Sequence, residues 1–333
     1  MKAAVFRGLG QGLGIESVAD PTPGFGEVVI KVGRCGICGS DLHMTEDPMF
    51  EVPPGMILGH EFAGEIASVG KGVVGLSVGD RVAVPPVRGC GTCPSCLAGE
   101  PAWCDQMQLI GGGYGEYALA SQRQIVRLPS SATIADGALV EPLAVALHGV
   151  VRSGLRPGDK AVVLGAGPIG LATAYWARRM GAAAVVVTDL HRFQEERAMT
   201  MGATAFVAGE EDPVAQADRI LGGKADVVFE CVGAPGLIAQ AVEHVGAKGV
   251  ILVQGLCTRP DSFIPFKALS KECRIQFANF FKTQEYEAAL DALSAGAVEP
   301  RALITETISL EQLPDTFEAL RRRTHQCKVQ VAP

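Results

Sequence analysis

Val162-Val163-Leu164 runs without a linker into Gly165-Ala166-Gly167-Pro168-Ile169-Gly170, and a helix-length segment follows. A G-x-G-x-x-G match by itself is weak, but placed between a strand and a helix it has the context that the chemistry requires. Gly165 permits the tight turn, Gly167 lets a pyrophosphate approach the backbone, and Gly170 lets helix and strand pack closely. Pro168 and Ile169 open the helix, where unpaired N–H groups and the helix dipole favour phosphate. The next strand ends in Asp189, 22 residues beyond Gly167, where a carboxylate receives ribose hydroxyls and repels a 2′-phosphate. NAD is the expected cofactor. His191 and Arg192 beside Asp189 keep NADP as the alternative. Val232 and Gly255, at the ends of later strands, complete the cofactor-binding candidates.

Strand–helix alternation extends from that motif in both directions. Apolar strands are expected at 161–164, 184–189, 205–207, 226–230 and 249–255, with helices near 169–180, 193–201, 214–221 and 236–245. Val-rich strands buried on both faces imply a doubly wound parallel sheet flanked by helices, an α/β fold. The first 130 residues read differently. Short β-branched runs at 27–32, 64–69 and 81–84 alternate with turns such as Pro21-Thr22-Pro23-Gly24 and Val78-Gly79-Asp80, the texture of an irregular β domain. From about 300 the chain returns to short strands and a helix (310–322), expected to pack back on the first domain. The expected division is 1–145 with 282–333, and 146–281.

A length of 333 residues accommodates two such domains. A net charge of −7 argues against a nucleic-acid partner. The triplet Arg321-Arg322-Arg323 reads as a solvated face. The longest apolar stretch, 161–177, is interrupted by Gly165, Gly167, Pro168 and Gly170, so no membrane span is expected. Met1–Arg7 is too soon charged for a secretory leader, and ten cysteines without a leader indicate a reducing, cytoplasmic setting.

Four of those cysteines, Cys90, Cys93, Cys96 and Cys104, lie in one loop (88–105) as C-x2-C-x2-C-x7-C among Gly89, Gly91, Pro94 and Gly99. Four thiolates gathered by tight turns match the all-sulfur, tetrahedral demand of a structural zinc. Such a closed site leaves no position for a substrate. A second donor set is dispersed: Cys35 and Cys38 with Ser40, Asp41 and His43; His60-Glu61; Glu141 and His148. One thiolate, one imidazole and two carboxylates allow three protein ligands and an open position, the pattern of a catalytic zinc.

Taken in order, GICGSD-x-H, GHE, the four-cysteine lobe, GALVEPL and GAGPIG with its acidic partner resemble the zinc-dependent medium-chain alcohol dehydrogenases, in the branch of sorbitol and threonine dehydrogenases. The resemblance runs essentially end to end. It implies a GroES-like β domain joined to a Rossmann domain, with the active site in the cleft between them, two zinc ions per subunit and a homodimer or homotetramer. It also implies that Cys38, rather than Cys35, binds the catalytic zinc with His60, while Glu61 and Glu141 compete for the remaining place. By the same likeness Ser40 is the first proton relay, His43 carries the proton onward, and Asp41 orients His60. Capping of a helix beginning at Leu42 is the plainer role for Ser40 and Asp41. His148 is expected to be structural, and Cys231 to line the cofactor cleft without reacting.

The reaction so implied oxidises a secondary alcohol to a ketone reversibly, with a small-molecule alcohol or ketone as partner. Polyol-oxidising relatives carry an Arg-Tyr pair where this chain has Gln276-Phe277, and sorbitol dehydrogenases tend to carry tyrosine at Met44. Met44, Phe50, Phe277 and Phe280 are suited instead to a less polar, cyclic or aromatic alcohol. A polyol, amino-alcohol or aminocyclitol dehydrogenase is the alternative. A non-catalytic structural or cofactor-sensing relative is the distant one.

Overall fold

The computed structural model describes residues 1–209, 212–322 and 324–333. The chain divides into two compact units, Met1–Glu141 with Lys282–Pro333, and Pro142–Phe281. The first break falls four residues ahead of the expected 145, just before Pro142.

In the first unit a seven-stranded sheet runs Ile304–Ser309, Lys328–Ala332, Glu27–Gly36, Glu61–Val69, Arg81–Val84, Val126–Arg127, with Tyr117–Ser121 also on Glu27–Gly36. Two of its strands come from the C-terminal segment. Lys328–Ala332 runs antiparallel to Glu27–Gly36, with Gln330 opposite Gly36 and Val331 opposite Cys35. Glu27–Gly36 pairs in turn with Glu61–Val69, so Glu61 lies opposite Gly36. This places Glu61 and the start of the last strand on either side of one glycine. Val28, Ile30, Val32, Phe62, Ile66, Val82 and Val84 build the core beneath, joined by Phe317, Val329 and Val331 from the C-terminal segment.

A second tie binds that segment. Thr133 and Asp136 cap the short helix Ile134–Gly137 reciprocally, and Arg301 grips Asp136 through two bonds of 2.7 and 3.1 Å. Arg321 is a brace rather than part of a solvated face. Its guanidinium donates to Leu42 O (3.0 Å), Thr45 Oγ1 (2.9 Å) and the carboxylates of Glu46 and Glu318. Arg322 is exposed, and Arg323 lies outside the described residues.

The second unit is a six-stranded parallel sheet ordered Ala205–Ala208, Ala184–Asp189, Lys160–Leu164, Ala225–Glu230, Val245–Val253, Arg274–Phe277. Order 3-2-1-4-5-6 by position in the sheet is the doubly wound nucleotide-binding arrangement, so the expected Rossmann sheet is present. Its first crossover helix, Pro168–Arg179, is buried from Gly170 to Ala177. Two long helices escaped the sequence reading, Val140–Ser153 and, in the first unit, Thr283–Ser294, along with the short Pro94–Leu97, Ile134–Gly137 and Pro265–Leu269. Val140–Ser153 begins at the expected domain boundary and carries Pro142 in its opening turn, which obscured its start in the sequence. The helix expected at 193–201 is shorter, Glu195–Thr200 after a 3-10 turn at Arg192–Gln194. No helix among the described residues is long and apolar enough to cross a membrane.

Arg301→Ala is expected to lower the stability of the first unit by about 1–2 kcal/mol, because Asp136 stays buried with only Thr133 to serve it. Burial would raise the Asp136 carboxyl, but Arg301 and Thr133 hold it below its ordinary value. The pair's contribution is therefore complete above the unfolded carboxyl value of about 4 and is lost as pH falls through the lower, folded one. Urea unfolding of both proteins at neutral and acid pH checks this: the gap between them should close in acid.

Candidate functional site

Cys38 follows the strand Glu27–Gly36 in extended conformation and caps the helix Gly39–Met44. That helix starts three residues earlier than Leu42, which puts Asp41 in its first turn. Gly59, at φ +82°, turns the chain into His60 and the strand Glu61–Val69. The Sγ of Cys38, a ring nitrogen of His60 and a carboxylate oxygen of Glu61 consequently lie within 4.8 Å of one another. His60 and Glu61 are buried and Cys38 half-buried.

The space among them suits a cation. Glu61 Oε2 is buried without a hydrogen-bond partner, and a Cβ on Gly36 would stand 2.0 Å from it. The fold thus clears room for that oxygen and gives it nothing to bind, a costly arrangement unless a positive charge arrives. One thiolate, one imidazole and one carboxylate converging on a point are the donor set of a catalytic zinc with a fourth position free.

Behind the donors lies a hydrogen-bonded chain. His60 Nδ1 is 3.1 Å from Asp41 Oδ1, and the Tyr114 hydroxyl donates to Asp41 Oδ2 at 2.6 Å. The Cys38 N–H reaches the same oxygen at 3.4 Å. Asp41 therefore closes the helix cap and meets His60 at once. Burial would lower the His60 imidazole, but the Asp41 charge, with Cys38 nearby, raises it well above its usual value. Asp41 is held low despite burial, chiefly by His60.

Lys328 was not legible as a site residue. Its Nζ donates to Glu61 Oε1 at 2.7 Å and to Ile37 O at 3.0 Å, and its side chain is only 2% exposed. A lysine opening an apolar strand reads as a surface cation, and nothing local marks it otherwise. Glu141 is buried and pushed up to about 7, by burial first and Glu61 next, against the opposing pull of His60. Its carboxylate is outside the 4.8 Å cluster, so of the two competing glutamates only Glu61 stands among the donors here. The Ser40 hydroxyl donates to Cys38 Sγ at 3.2 Å. His43 lies half-buried on the same helix. Cys35 is a core thiol raised by burial, and His148 is buried in the helix Val140–Ser153.

In the lobe, Cys90, Cys93, Cys96 and Cys104 bring four sulfurs within 4.8 Å. Backbone N–H groups point at them: Thr92 and Cys93 at Cys90 Sγ, Cys96 at Cys93 Sγ, and Cys90 and Gln106 at Cys104 Sγ, all at 3.3–3.5 Å. The Thr92 amide and hydroxyl bring the Cys90 thiol down to about 6, whereas burial lifts Cys96 to about 11. A metal is what would hold the second sulfur as thiolate beside the first. The four-sulfur cage fits a zinc closed to substrate.

In the second unit Gly165 has φ +97°, and a Cβ there would strike Val232. Gly167 faces open space at the helix N-terminus, while a Cβ on Gly170 would stand 1.9 Å from Gly165 O. Gly170 thus guards the loop carbonyl more than the strand beneath it. Pro168 and Ile169 form the first half-buried helical turn. Asp189 accepts from the Ala166 N–H at 2.8 Å and the His191 N–H at 3.3 Å. Arg192 pairs with Glu195 at 2.8 Å. Glu230, unnoticed in the sequence, organises the two later loops. Its carboxylate takes the N–H groups of Val232 and Gly233, and its carbonyl those of Gln254 and Gly255. Gly255 lies beyond its strand, which ends at Val253, and a Cβ on it would meet Gly233 N at 2.1 Å. Cys231 is a thiol raised by burial and by Glu230.

Two family models match: the alcohol dehydrogenase GroES-like domain over residues 24–130 and the zinc-binding dehydrogenase domain over 168–295. Sorbitol dehydrogenase of Bacillus subtilis is 34% identical, with 100% of this chain and 97% of that protein covered. Among solved structures, a zinc-binding dehydrogenase from Sinorhizobium meliloti bound to NADP superimposes with a TM-score of 0.90 at 32% identity, covering 100% and 99% of the two chains. The 2R,3R-butanediol dehydrogenase of Bacillus subtilis gives 0.89 at 31%, again covering 100% and 99%. The chain belongs to the zinc-binding alcohol dehydrogenase family, in its sorbitol dehydrogenase-like branch. It is an alcohol oxidoreductase that uses zinc and a nicotinamide cofactor.

Two outcomes follow from this geometry. Asp41 favours the protonated ring of His60, and a ring nitrogen that binds zinc must be free of its proton, so zinc affinity at the Cys38 site should weaken as pH falls, measured by chelator competition. Cys38→Ser should abolish turnover with the melting temperature retained, whereas Cys93→Ser should chiefly lower stability. Equal loss of folding in both variants would contradict that division.

Proposed function

We propose that the protein oxidises a secondary alcohol to a ketone with NAD as hydride acceptor, at a centre formed by Cys38, His60 and Glu61. The observation that carries this reading is the buried, partnerless Glu61 oxygen facing a thiol and an imidazole. When bound, zinc supplies Lewis acidity toward the alcohol oxygen and the nicotinamide accepts hydride. The chain's own residues do the rest. Ser40, hydrogen-bonded to Cys38, is placed to take the hydroxyl proton first, and His43 on the same helix passes it on. Asp41 fixes the ring of His60. Glu141, its carboxyl pushed up to about 7 by burial, serves as a second carboxylate that can exchange with Glu61.

NAD over NADP rests on Asp189, whose carboxylate is buried and pinned by two backbone N–H groups where a 2′-phosphate would have to fit. Arg192, the cation that could offset it, is engaged by Glu195.

For the alcohol, a less polar cyclic or aromatic substrate is favoured by the residues that replace the polyol-binding pair. With its amide oxygen toward Arg152, Gln276 accepts from that guanidinium at 2.9 and 3.0 Å, leaving little to bind a sugar hydroxyl. Phe277 is largely exposed. Met44 packs against the first unit's core, so it contributes less to this argument than the sequence suggests. The polyol reading draws on the relatives named above. A cytoplasmic location is supported by the four-sulfur lobe, which needs reduced thiols to hold a metal, and a homodimer or homotetramer by the exposed apolar Phe266, Leu269 and Phe277.

NAD reduction across a panel of cyclic, aromatic and polyhydroxy alcohols tests the proposal. Expected are a higher kcat/KM on the apolar secondary alcohols, at least about tenfold preference for NAD over NADP, and loss of turnover on chelation. Faster turnover of sorbitol would establish the polyol reading. No turnover of any alcohol by protein loaded with both zincs would overturn the assignment of the centre.

A further inference from the structure

We infer that Tyr114 is a positioning residue of the metal centre, acting through Asp41 on His60. Its ring is completely buried, yet its hydroxyl reaches Asp41 Oδ2 at 2.6 Å, a short charge-assisted bond. Asp41 has two oxygens, and this bond assigns them. With Oδ2 held by Tyr114, Oδ1 is left for His60 Nδ1 at 3.1 Å. The imidazole then has one defined orientation, its far nitrogen turned toward Cys38 and Glu61. Partners behind a metal-bound histidine set its tautomer and basicity.

The surroundings are built around that hydroxyl. Gly59, immediately before His60, has φ +82°, and a Cβ on it would lie 2.5 Å from the Tyr114 ring. Only glycine lets the ring pass beneath the turn that carries His60. The Tyr114 N–H and carbonyl are fixed by Leu58 O and the Ala4 N–H. The edge of its ring meets Phe317 at a centroid distance of 6.3 Å, and the Arg321 guanidinium covers Phe317 at 5.6 Å. Arg321 also holds Leu42 O and Thr45 Oγ1, at the end of the helix that bears Asp41. Tyrosine and aspartate are thus fixed from opposite sides by one C-terminal brace. A phenylalanine would fill the same apolar volume, so the hydroxyl is the part that packing does not require.

The inference rests on Cys38, His60 and Glu61 being a zinc site, and the experiment separates the two claims. Full-length wild type, Tyr114→Phe, Asp41→Asn and the double variant are loaded with Zn2+, and release to a chelator is followed for each bound ion. The Co2+ forms are compared by their thiolate absorption. In Tyr114→Phe the zinc of the Cys38 site should bind about tenfold more weakly. The Cys90–Cys104 zinc should be retained, the melting temperature lowered by no more than about 10 °C and the Co2+ band of the Cys38 site altered. If Tyr114 works through Asp41, adding Tyr114→Phe to Asp41→Asn should weaken binding no further. Unchanged affinity at the Cys38 site, equal weakening at both sites, additive losses in the double variant, or a Tyr114→Phe protein that does not fold would each overturn the role. A wild type that binds only one zinc would instead sink the metal site on which it rests.

Discussion

Buried charge governs the first unit. Asp41, His60, Glu61, Glu141 and Lys328 are all sealed from water around one point, with the Cys38 sulfur at its edge. Lys328 faces Glu61 and the His60 ring faces Asp41, so these four offset one another, but a metal-binding Cys38 thiolate would add a charge that low dielectric makes expensive. A divalent cation at Cys38, His60 and Glu61, as proposed above, would offset that charge, and burial already pushes the nearby Glu141 carboxyl up. The glycines at 36 and 59, the reciprocal cap at Cys38 and the register of three strands all serve this concentration of ionisable groups. The cysteine lobe solves a smaller problem with sulfur and backbone N–H groups alone, and it can do so on an exposed loop.

Local chemistry made much of this readable. The glycine motif works through contacts within a few residues and one strand away, so spacing pointed to 165, 167 and 170 as turn and close-contact positions, although Gly170 makes its tightest approach to Gly165 O rather than to the strand. The four-cysteine lobe is likewise self-contained. GHE and GICGSD read as candidate donors through their residue types and through the resemblance that joined them. Parallel strands such as Ala184–Asp189 announced themselves by continuous burial, and the acidic residue closing that strand marked the nucleotide loop.

The remainder depends on pairing across long stretches of chain. Lys328 meets Glu61 across 267 residues, and no periodicity in a five-residue strand marks a lysine as buried. Tyr114 sits in a glycine-rich turn, where an aromatic residue looks like loop filling until Asp41 is found beneath it. Glu230 resembles the end of any strand until its carboxylate is seen receiving two loop N–H groups. Helix Val140–Ser153 was passed over because its opening residues, Glu141 and Pro142, were read as part of the GALVEPL motif at a domain boundary. The Arg321 triplet misled in the opposite way: three like charges looked solvated, while the first of them grips a helix end.

The interleaved layout of the first unit has a consequence for synthesis. The strand Lys328–Ala332 is an interior member of its sheet, flanked by Ile304–Ser309 and Glu27–Gly36. Until it emerges from the ribosome, that sheet has a raw edge and Glu61 has no counter-ion. The second unit is continuous from Pro142 to Phe281 and can fold as it appears, though it is encoded later than most of the first. The nucleotide-binding half therefore matures ahead of the metal-binding half, and the carboxylate-rich centre spends most of translation as an open chain. Completion of the pocket formed by Cys38, His60 and Glu61, with Lys328 in place behind it, thus becomes one of the last events in the protein's biogenesis, whereas the compact cysteine lobe is complete once Cys104 has emerged.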